Sequence, residues 1–583
     1  MAFVQNFPLF SILLPIICGF LCLSLRPGAA GYAMLAVFTA ECVMSAAVLI
    51  RSISTRMGFT YMMGHFPAPF GNEIRAGALE ALMALVFSVV MLLSVAGGLD
   101  DLEYDIPAKK HSFFFLMSGF LLAAMLAVIY TNDLFTAYVF IEIITLSACS
   151  IIAVREGGKP LIATMSYLIM SLIGSALLLL SIALLYTLTG QLLMPDLRSG
   201  IQEITQSGSY GMPLLILMGL MITGLGIKCA LFPFHSWLPN AHAHATTSAS
   251  SVLSGLIVKC YMFLLAKLFI RVFGLEVVNQ LSAGSILIVL GILGLIFGSL
   301  AAIRQRDIKQ MLSYSTVSQI GYISIALGLG SEAGIAAACF HMIVHAAAKA
   351  MLFTSAGGLI RASGRKKDFG ALSGAARRDP VSGAAFICGA LAMVGIPLFS
   401  GFVSKLYTSA AAAISPAGAP LGAAVILSVV VLSTVLNAVY YFPIVICILA
   451  KQPGARAAAA GAAAAGAGIA AVEAGAAAGA GIASAAAGEA AGAEIASAEV
   501  GEAAGAEIAS AAAGAAAGAE IASAAAGAAA AGADVIERAT PAAHAGRSPA
   551  YSVTLAVFMA ANIALGIFSQ PVFRIIDLGL SVF

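Results

Sequence analysis

Gly224-Leu-Gly226-Ile-Lys228-Cys-Ala-Leu-Phe-Pro233-Phe-His235-Ser-Trp237-Leu-Pro239-Asn240-Ala-His242 closes an apolar run that begins near residue 211. The run of 211–231 is as long as the roughly 20 residues needed to cross a bilayer. A lysine lies inside it, and prolines follow at 233 and 239. A proline within a span frees backbone carbonyls, which is tolerated where the helix lines a cavity or is covered by protein. A charged side chain near mid-bilayer costs about 2.5–3.5 kcal/mol on insertion scales, so such residues usually mark a pathway. The stretch therefore predicts a broken membrane helix packed among others.

Working outward, apolar stretches of similar length occur near 3–25, 30–50, 76–98, 111–130, 133–154, 160–188, 244–270, 281–303, 310–330, 332–360, 380–413, 418–450 and 551–577, which with 211–231 makes fourteen. No stretch alternates polar and apolar residues as a membrane barrel strand would. The expected fold is all-α, a polytopic membrane protein of about 14 transmembrane helices. Composition agrees: 61% of the 583 residues are hydrophobic and 10% charged, where soluble domains run near 25% charged. Mean hydropathy is +1.01. The first stretch lacks a small-residue cleavage site and reads as a first span.

A net charge of +2 is too small to suggest nucleic-acid binding. The nine cysteines all fall in apolar stretches, with no C-x-x-C pair and no metal-spaced histidines, which argues against iron–sulfur, zinc or disulfide frameworks. No Gly-x-Gly-x-x-Gly sits between a strand and a helix. No metal, cofactor or active site is expected in this chain, so any redox chemistry must come from partners.

Loops following odd-numbered spans hold 18 Lys and Arg, loops following even-numbered spans six, and five lysines lie within spans. The bias places both ends outside and the basic loops in the cytoplasm. Residues 454–535 are almost wholly Ala and Gly, with Ile469, Ile482, Ile495, Ile508 and Ile521 spaced by 13. Thirteen residues advance a helix by about 220° beyond whole turns, so these isoleucines share no face. The tract reads as a low-complexity cytoplasmic linker.

Several ionisable residues lie deep in spans. Glu142 is about nine residues into its helix, roughly 14 Å deep at 1.5 Å per residue. Lys228 precedes the first break, and Lys259 lies mid-helix. His341, His345 and Lys349 follow at i, i+4 and i+8, roughly along one face. Lys405 follows a second breaker set, Gly395-Ile-Pro397 through Gly401. Lysines outnumber acids in this set, so simple pairing cannot neutralise all of them. Lys267 sits near a helix end, where snorkelling to the interface accounts for it. The breaks fall in the seventh and twelfth helices, five apart. An odd-numbered unit must run through the membrane the other way up in its second copy, which predicts two inverted five-helix repeats. The expected division is an N-terminal three-helix segment (1–110), repeats at 111–272 and 281–450, the linker (451–550) and a last span (551–583).

Leu231-Phe-Pro233-Phe-His235-Ser-Trp237-Leu-Pro239-Asn240-Ala-His242 closely resembles the signature of the antiporter-like subunits of respiratory complex I, Mrp-type cation/proton antiporters and energy-converting membrane-bound hydrogenases. So do Asp307-Ile-Lys-Gln-Met-Leu-Ser-Tyr314-Ser315 with Gly321-Tyr322, the His341, His345, Lys349 series, and Gly395-Ile-Pro397 through Lys405. The likeness runs from roughly residue 65 to 450, plus the last span. It implies that Glu142 resembles the family's fifth-helix glutamate paired with the seventh-helix lysine, here Lys228. Lys259 resembles the central eighth-helix lysine, His341, His345 and Lys349 the eleventh-helix connecting residues, and Lys405 the terminal twelfth-helix site. His235 and His242 fall in the loop after the broken seventh helix, where a structural role and a proton relay are both open. In place of the family's common Ala-Pro-Thr, Ala245 is followed by Thr246 and Thr247. The Ala/Gly tract is foreign to the pattern, and no long lateral helix is expected.

The resemblance implies a proton-conducting, antiporter-like subunit in the cell membrane, assembled with other membrane subunits. Protonation would pass along Glu142, Lys228, Lys259, the histidines with Lys349, and Lys405. At an effective dielectric near 20, charges about 6 Å apart interact by roughly 3 kcal/mol, enough to drive transfer between neighbours. A redox-driven pump subunit, an Mrp-type sodium/proton antiporter subunit and a non-conducting structural member are the readings left open.

Overall fold

The computed structural model describes residues 2–66, 71–206, 211–415, 420–450 and 548–581. The Ala/Gly tract lies outside them. The described chain is an all-α membrane architecture with one short hairpin. Its main helices are α1 (Phe7–Cys22), α2 (Pro27–Thr55), α3 (Ala78–Ala96), α4 (Leu99–Asp105), α5 (His111–Tyr130), α6 (Leu134–Ala153), α7 (Gly158–Thr189), α8 (Met194–Gln206), α9 (Gly211–Lys228) and α10 (Trp237–His244). A continuous helical span, Thr247–Phe273, contains α11 (Thr247–Val252) and α12 (Val258–Lys267). After it come α13 (Leu275–Gln280), α14 (Ala283–Arg304), α15 (Ile308–Gly328), α16 (Glu332–Ala362), α17 (Ala375–Arg378), α18 (Pro380–Val394), α19 (Ser400–Ile414), α20 (Pro420–Leu449), α21 (Pro549–Ile567) and α22 (Ser569–Ser581).

Among the described residues, twelve helices are long and apolar enough to cross a membrane. Two of the fourteen expected stretches differ. α15 has 21 residues but is rich in Ser, Thr and Gln, and it lies almost wholly buried, so its polar groups face other helices. The stretch 380–413 is two helices of 15 residues, α18 and α19, parted at Gly395-Ile-Pro-Leu-Phe399. There Gly395 (φ +89°) and Leu398 (φ +86°) take left-handed conformations. The sequence reading missed the hairpin of β1 (Phe59–Met62) and β2 (Glu73–Ala76), paired Phe59↔Ala76 through Met62↔Glu73.

The loops gather into two faces. On one, Asn132 N donates to Glu73 O (2.9 Å) and Met194 N to Asn132 O (2.9 Å), tying the hairpin to the end of α5 and the start of α8. On the other, Arg155 meets Asp105 (3.4 Å) and Arg361 meets Asp100 and Asp101 (3.4 and 3.2 Å). Lys309 and Lys367 donate to the carbonyls of Ala245 (2.9 Å) and Ala243 (2.5 Å) on that same face. Asp133 caps α6 and bridges Leu193 on the first face, and Asp307 caps α15 and bridges Asp368 on the second.

α16 is buried from Gly334 to Ile360, so lipid does not meet the histidines and the lysine it carries. Close helix approach depends on small residues, as is general in membranes. A Cβ on Gly321 of α15 would lie 2.5 Å from Gly291 O of α14, and one on Gly284 of α14 2.2 Å from Gly328 O of α15. Lys267 corrects the sequence reading. It does not snorkel: it is buried, and its ammonium donates to the carbonyls of Val128, Ile129 and Thr131 at 3.3, 2.9 and 2.7 Å. Arg271, one residue past the expected stretch 244–270 and so one of the six cations in loops after even-numbered spans, is buried 3.7 Å from Glu80.

Candidate functional site

Asp133 sets the register of α6 by accepting from Thr136 N (2.6 Å), and Glu142 lies nine residues on. α9 ends at Lys228, and Ala230 turns the chain with φ +59°. Helix ends leave carbonyls without intrahelical partners. Here Trp237 Nε1 donates back to Ile227 O (3.1 Å) and Leu231 N to Gly226 O (2.8 Å), which holds the break in one shape. Lys228 is fully buried, 3.3 Å from Glu142 Oε1 and 3.0 Å from Thr145 Oγ1, whereas the Glu142 side chain is 25% exposed. Ser175 Oγ also donates to Glu142 Oε1. The pair therefore joins a fully buried lysine to a partly exposed carboxylate within the span.

Lys259 owes its position to a π-turn at Leu253–Ile257. Such a turn inserts one residue into a helix and often marks a functional site. The ammonium donates to the carbonyl of Ser254, five residues back, and Ser254 Oγ shares a 2.7 Å hydrogen bond with Thr316 Oγ1. Tyr261, two residues on, brings its ring centroid within 5.8 Å of Lys228. His345 lies within electrostatic reach of Lys259, Lys349 and His341, and His341 within reach of Lys405.

On α16 the rings of His341 and His345 stack with centroids 5.9 Å apart. His341 Nδ1 shares a 2.6 Å hydrogen bond with Ser404 Oγ. His341 Nε2 and both ring nitrogens of His345 are buried without a hydrogen-bond partner among the described residues. Lys349 donates to Leu312 O (2.9 Å), Ser315 Oγ (2.8 Å) and Tyr441 OH (3.2 Å). Lys405, one turn past the second break, donates to Val394 O (2.7 Å), a carbonyl at the end of α18, and to Thr434 Oγ1 (3.1 Å). The Tyr322 ring lies 5.4 Å from the Lys405 ammonium and 5.4 Å from the His341 ring.

The structure thus brings His341, His345, Lys349, Lys259 and Lys405 into one electrostatic group, with the Glu142–Lys228 pair joined to α12 through Tyr261. His242 adds to this group. It is buried, stacks on Phe353 at 4.6 Å, and both its ring nitrogens lack partners among the described residues. Burial, with Lys309, Lys349 and Lys259 nearby, holds it well below the usual histidine range. His235 packs on Phe232 and Tyr314 instead, at 5.4 and 6.1 Å, and burial lowers it too. Sequence reasoning missed Thr145, Ser175, Ser404, Thr434 and Tyr441, because hydroxyls are scattered through every span and nothing local marks the ones that face a lysine. Thr246 caps α11 by accepting from Ala249 N (3.2 Å), which fixes the loop where the common Ala-Pro-Thr is replaced. Among the described residues no three His, Cys, Asp or Glu side chains gather as a metal set.

Residues 131–433 match the family model described as NADH:quinone oxidoreductase/Mrp antiporter, transmembrane. The chain is 36% identical over 440 residues to NADH-quinone oxidoreductase subunit N of Desulforudis audaxviator, covering 73% of this chain and 82% of that one. It is 26% identical over 408 residues to the D subunit of the Na(+)/H(+) antiporter of Alkalihalophilus pseudofirmus, covering 69% and 80%. Among solved structures, it resembles a chain of the Mrp complex from Dietzia sp. (TM-score 0.75, 21% identity, 100% and 97% covered). It likewise resembles a chain of an archaeal membrane-bound sulfane sulfur reductase (TM-score 0.74, 23% identity, 99% and 97% covered).

Proposed function

This chain belongs to the NADH:quinone oxidoreductase/Mrp antiporter transmembrane family, and we propose that it is the proton-translocating, antiporter-like subunit of a redox-driven membrane complex. The observation that carries this is the buried row itself. Four buried lysines and two buried histidines lie within the spans with one partly exposed glutamate, so a single acid faces four lysines and the rest are held by hydroxyls, tyrosine rings and freed carbonyls. Lys228 and Lys405 each lie beside a helix break, where backbone carbonyls and turns replace lipid-facing helix. Asp133 and Asp307 cap spans five apart on opposite faces, which supports two inverted units at 111–272 and 281–450.

The redox-driven reading comes first because the 36% identical relative is a subunit of NADH-quinone oxidoreductase. A subunit of an Mrp-type sodium/proton antiporter is the second reading, favoured by the antiporter relative from Alkalihalophilus pseudofirmus. Neither requires a cofactor in this chain. Partner subunits would supply the electron transfer or complete the antiporter.

The test is Glu142→Gln and Lys228→Ala in native membranes, with proton and sodium transport normalised to assembled complex. Gln keeps the shape and hydrogen bonds of Glu142 but cannot lose a proton. Transport should fall by roughly a hundredfold, the scale of losing one positioned acid–base group, while the complex persists. A purely structural pair would behave otherwise: removing one partner would strand a buried charge at about 3–5 kcal/mol and the complex would fall apart. Normal transport in both variants would end the relay reading.

A further inference from the structure

On the face of the basic loops, a polar cavity of about 70 Å³ is lined by Asp101, Thr247, Lys309, Arg361, Arg365 and Lys367, among others. Asp101 lies on α4 and is 5% exposed. Its Oδ1 is 3.2 Å from Arg361 Nε, while its Oδ2 has no hydrogen-bond partner among the described residues. The glycine beneath explains how Asp101 and Thr247 come together. A Cβ on Gly357 of α16 would meet Thr247 Oγ1 at 2.7 Å and Asp101 Oδ2 at 2.9 Å, so both oxygens converge over one bare Cα.

From Thr247 a line of buried hydroxyls runs inward. Thr247, Ser251 and Ser254 stand at i, i+4 and i+7 of the same span, hence on one face. Ser251 shares a 2.8 Å hydrogen bond with Ser94 of α3, accepts from Thr354 of α16 at 3.4 Å and donates to Ala350 O at 3.1 Å, the bond it must exchange to pass a proton on. Ser254 pairs with Thr316 of α15, and its carbonyl holds the Lys259 ammonium. Four helices thus contribute hydroxyls to one line through an otherwise apolar layer. Each buried hydroxyl is costly unless bonded, and each can donate and accept at once.

We propose that this cavity takes up protons from the side of the basic loops, that Asp101 is the first acceptor, and that Thr247, Ser251 and Ser254 carry them to Lys259. The inference rests on the reading of Lys259 as part of the transport row. Asp101 Oδ2 gains a proton from hydronium of the adjoining solvent, leaving water, and gives it to Thr247. Each hydroxyl accepts one proton and releases its own. The Ser254 hydroxyl hands its proton to the unprotonated amine of Lys259, which lies against the carbonyl of the same residue and ends the line as an ammonium. Successive rungs lie one turn apart, about 5–6 Å between Cβ atoms, a gap that hydroxyl rotation and one water span.

Burial, opposed chiefly by Arg361, raises the Asp101 carboxyl above the ordinary aspartate range, which brings proton uptake nearer neutrality. Arg361 and Arg365 from the end of α16 and beyond, Lys309 from α15, Lys367, Arg155 and Asp105 are the other charged groups around it. The cationic lining also draws small anions.

The experiment compares Asp101→Asn, Asp101→Glu, Thr247→Val and Lys259→Ala in native membrane vesicles, with proton uptake measured per assembled complex, with and without added formate. Asp101→Asn and Thr247→Val should each slow uptake roughly tenfold or more, and Asp101→Glu should retain it. Formate, a small acid that can carry a proton into the cavity, should restore Asp101→Asn and leave Thr247→Val slow. Normal uptake in Asp101→Asn and Thr247→Val, with Lys259→Ala inactive, would overturn this access route and leave the row standing. Normal uptake in Lys259→Ala as well would instead remove the row on which the inference rests. Loss in Asp101→Asn that formate does not repair would make the Asp101–Arg361 pair a clamp holding α4 to α16, and would equally overturn the proposal.

Discussion

Lys228 and Lys267 are both buried lysines in apolar helices, yet their partners fit them for opposite tasks. Lys228 shares a carboxylate that also takes a hydroxyl, so its proton has an acceptor beside it. Lys267 spends its three donors on the carbonyls of Val128, Ile129 and Thr131, which α5 leaves without helical partners at its end. It is a fixed tie between two spans. Lys267→Met should therefore destabilise without silencing transport. Leaving such carbonyls buried and unpaired costs about 1–3 kcal/mol each, so thermal unfolding of the assembled complex should shift down by several degrees. Transport per surviving complex should be unchanged. Lost transport at undiminished stability would put Lys267 in the row instead. The sequence set Lys267 apart by its place near a helix end, but its actual tie was not legible there, because the carbonyls that hold it are brought by another helix.

At the scale of elements, the broken helices were legible and the π-turn was not. Pro233, Pro239, Pro397 and Gly401 announce breaks because proline and glycine act locally. A π-turn adds one residue to a helix without any required residue type, so the carbonyl it offers Lys259 leaves no mark in the chain. The hairpin at 59–76 was missed for a related reason: four-residue strands are too short for their alternation to stand out against apolar neighbours. The spans themselves were read from length and apolarity, but their closeness depends on single glycines. Gly321→Val should force α14 and α15 apart, since its Cβ would sit 2.5 Å from Gly291 O and 2.8 Å from Leu295 N, both backbone atoms. Overpacking of this kind costs roughly 1–3 kcal/mol. Gly219→Ala has nothing within 4 Å of the new Cβ and should be neutral or slightly stabilising, as alanine favours helix. Yield and thermal stability of the complex in detergent would read both, and an equal loss in the two variants would show that contact geometry does not govern this packing.

For the whole molecule, orientation decides which end of the row takes up protons. The sequence carries that information only as a count of cations, 18 against six, because basic loops are held on the cytoplasmic side. The fold adds a geometric condition. Arg155, Lys309, Arg361, Arg365 and Lys367 come from loops and helix ends, some far apart in sequence, yet they meet around one cavity. The hairpin, the end of α5 and the start of α8 form the opposite face. A single pair of labelling sites therefore orients every described span at once. Lys366 is exposed beside that basic cluster, and Gln191 is exposed in the loop after α7 on the hairpin face. A membrane-impermeant maleimide applied to intact cells should label Gln191→Cys and spare Lys366→Cys until the membrane is opened. The nine native cysteines lie in apolar stretches, so background reaction should be low. The reverse pattern would turn the molecule over. Asp101 would then face outward, and its cavity would become the place where a proton leaves, with the same hydroxyl line carrying it from Lys259 in the opposite direction.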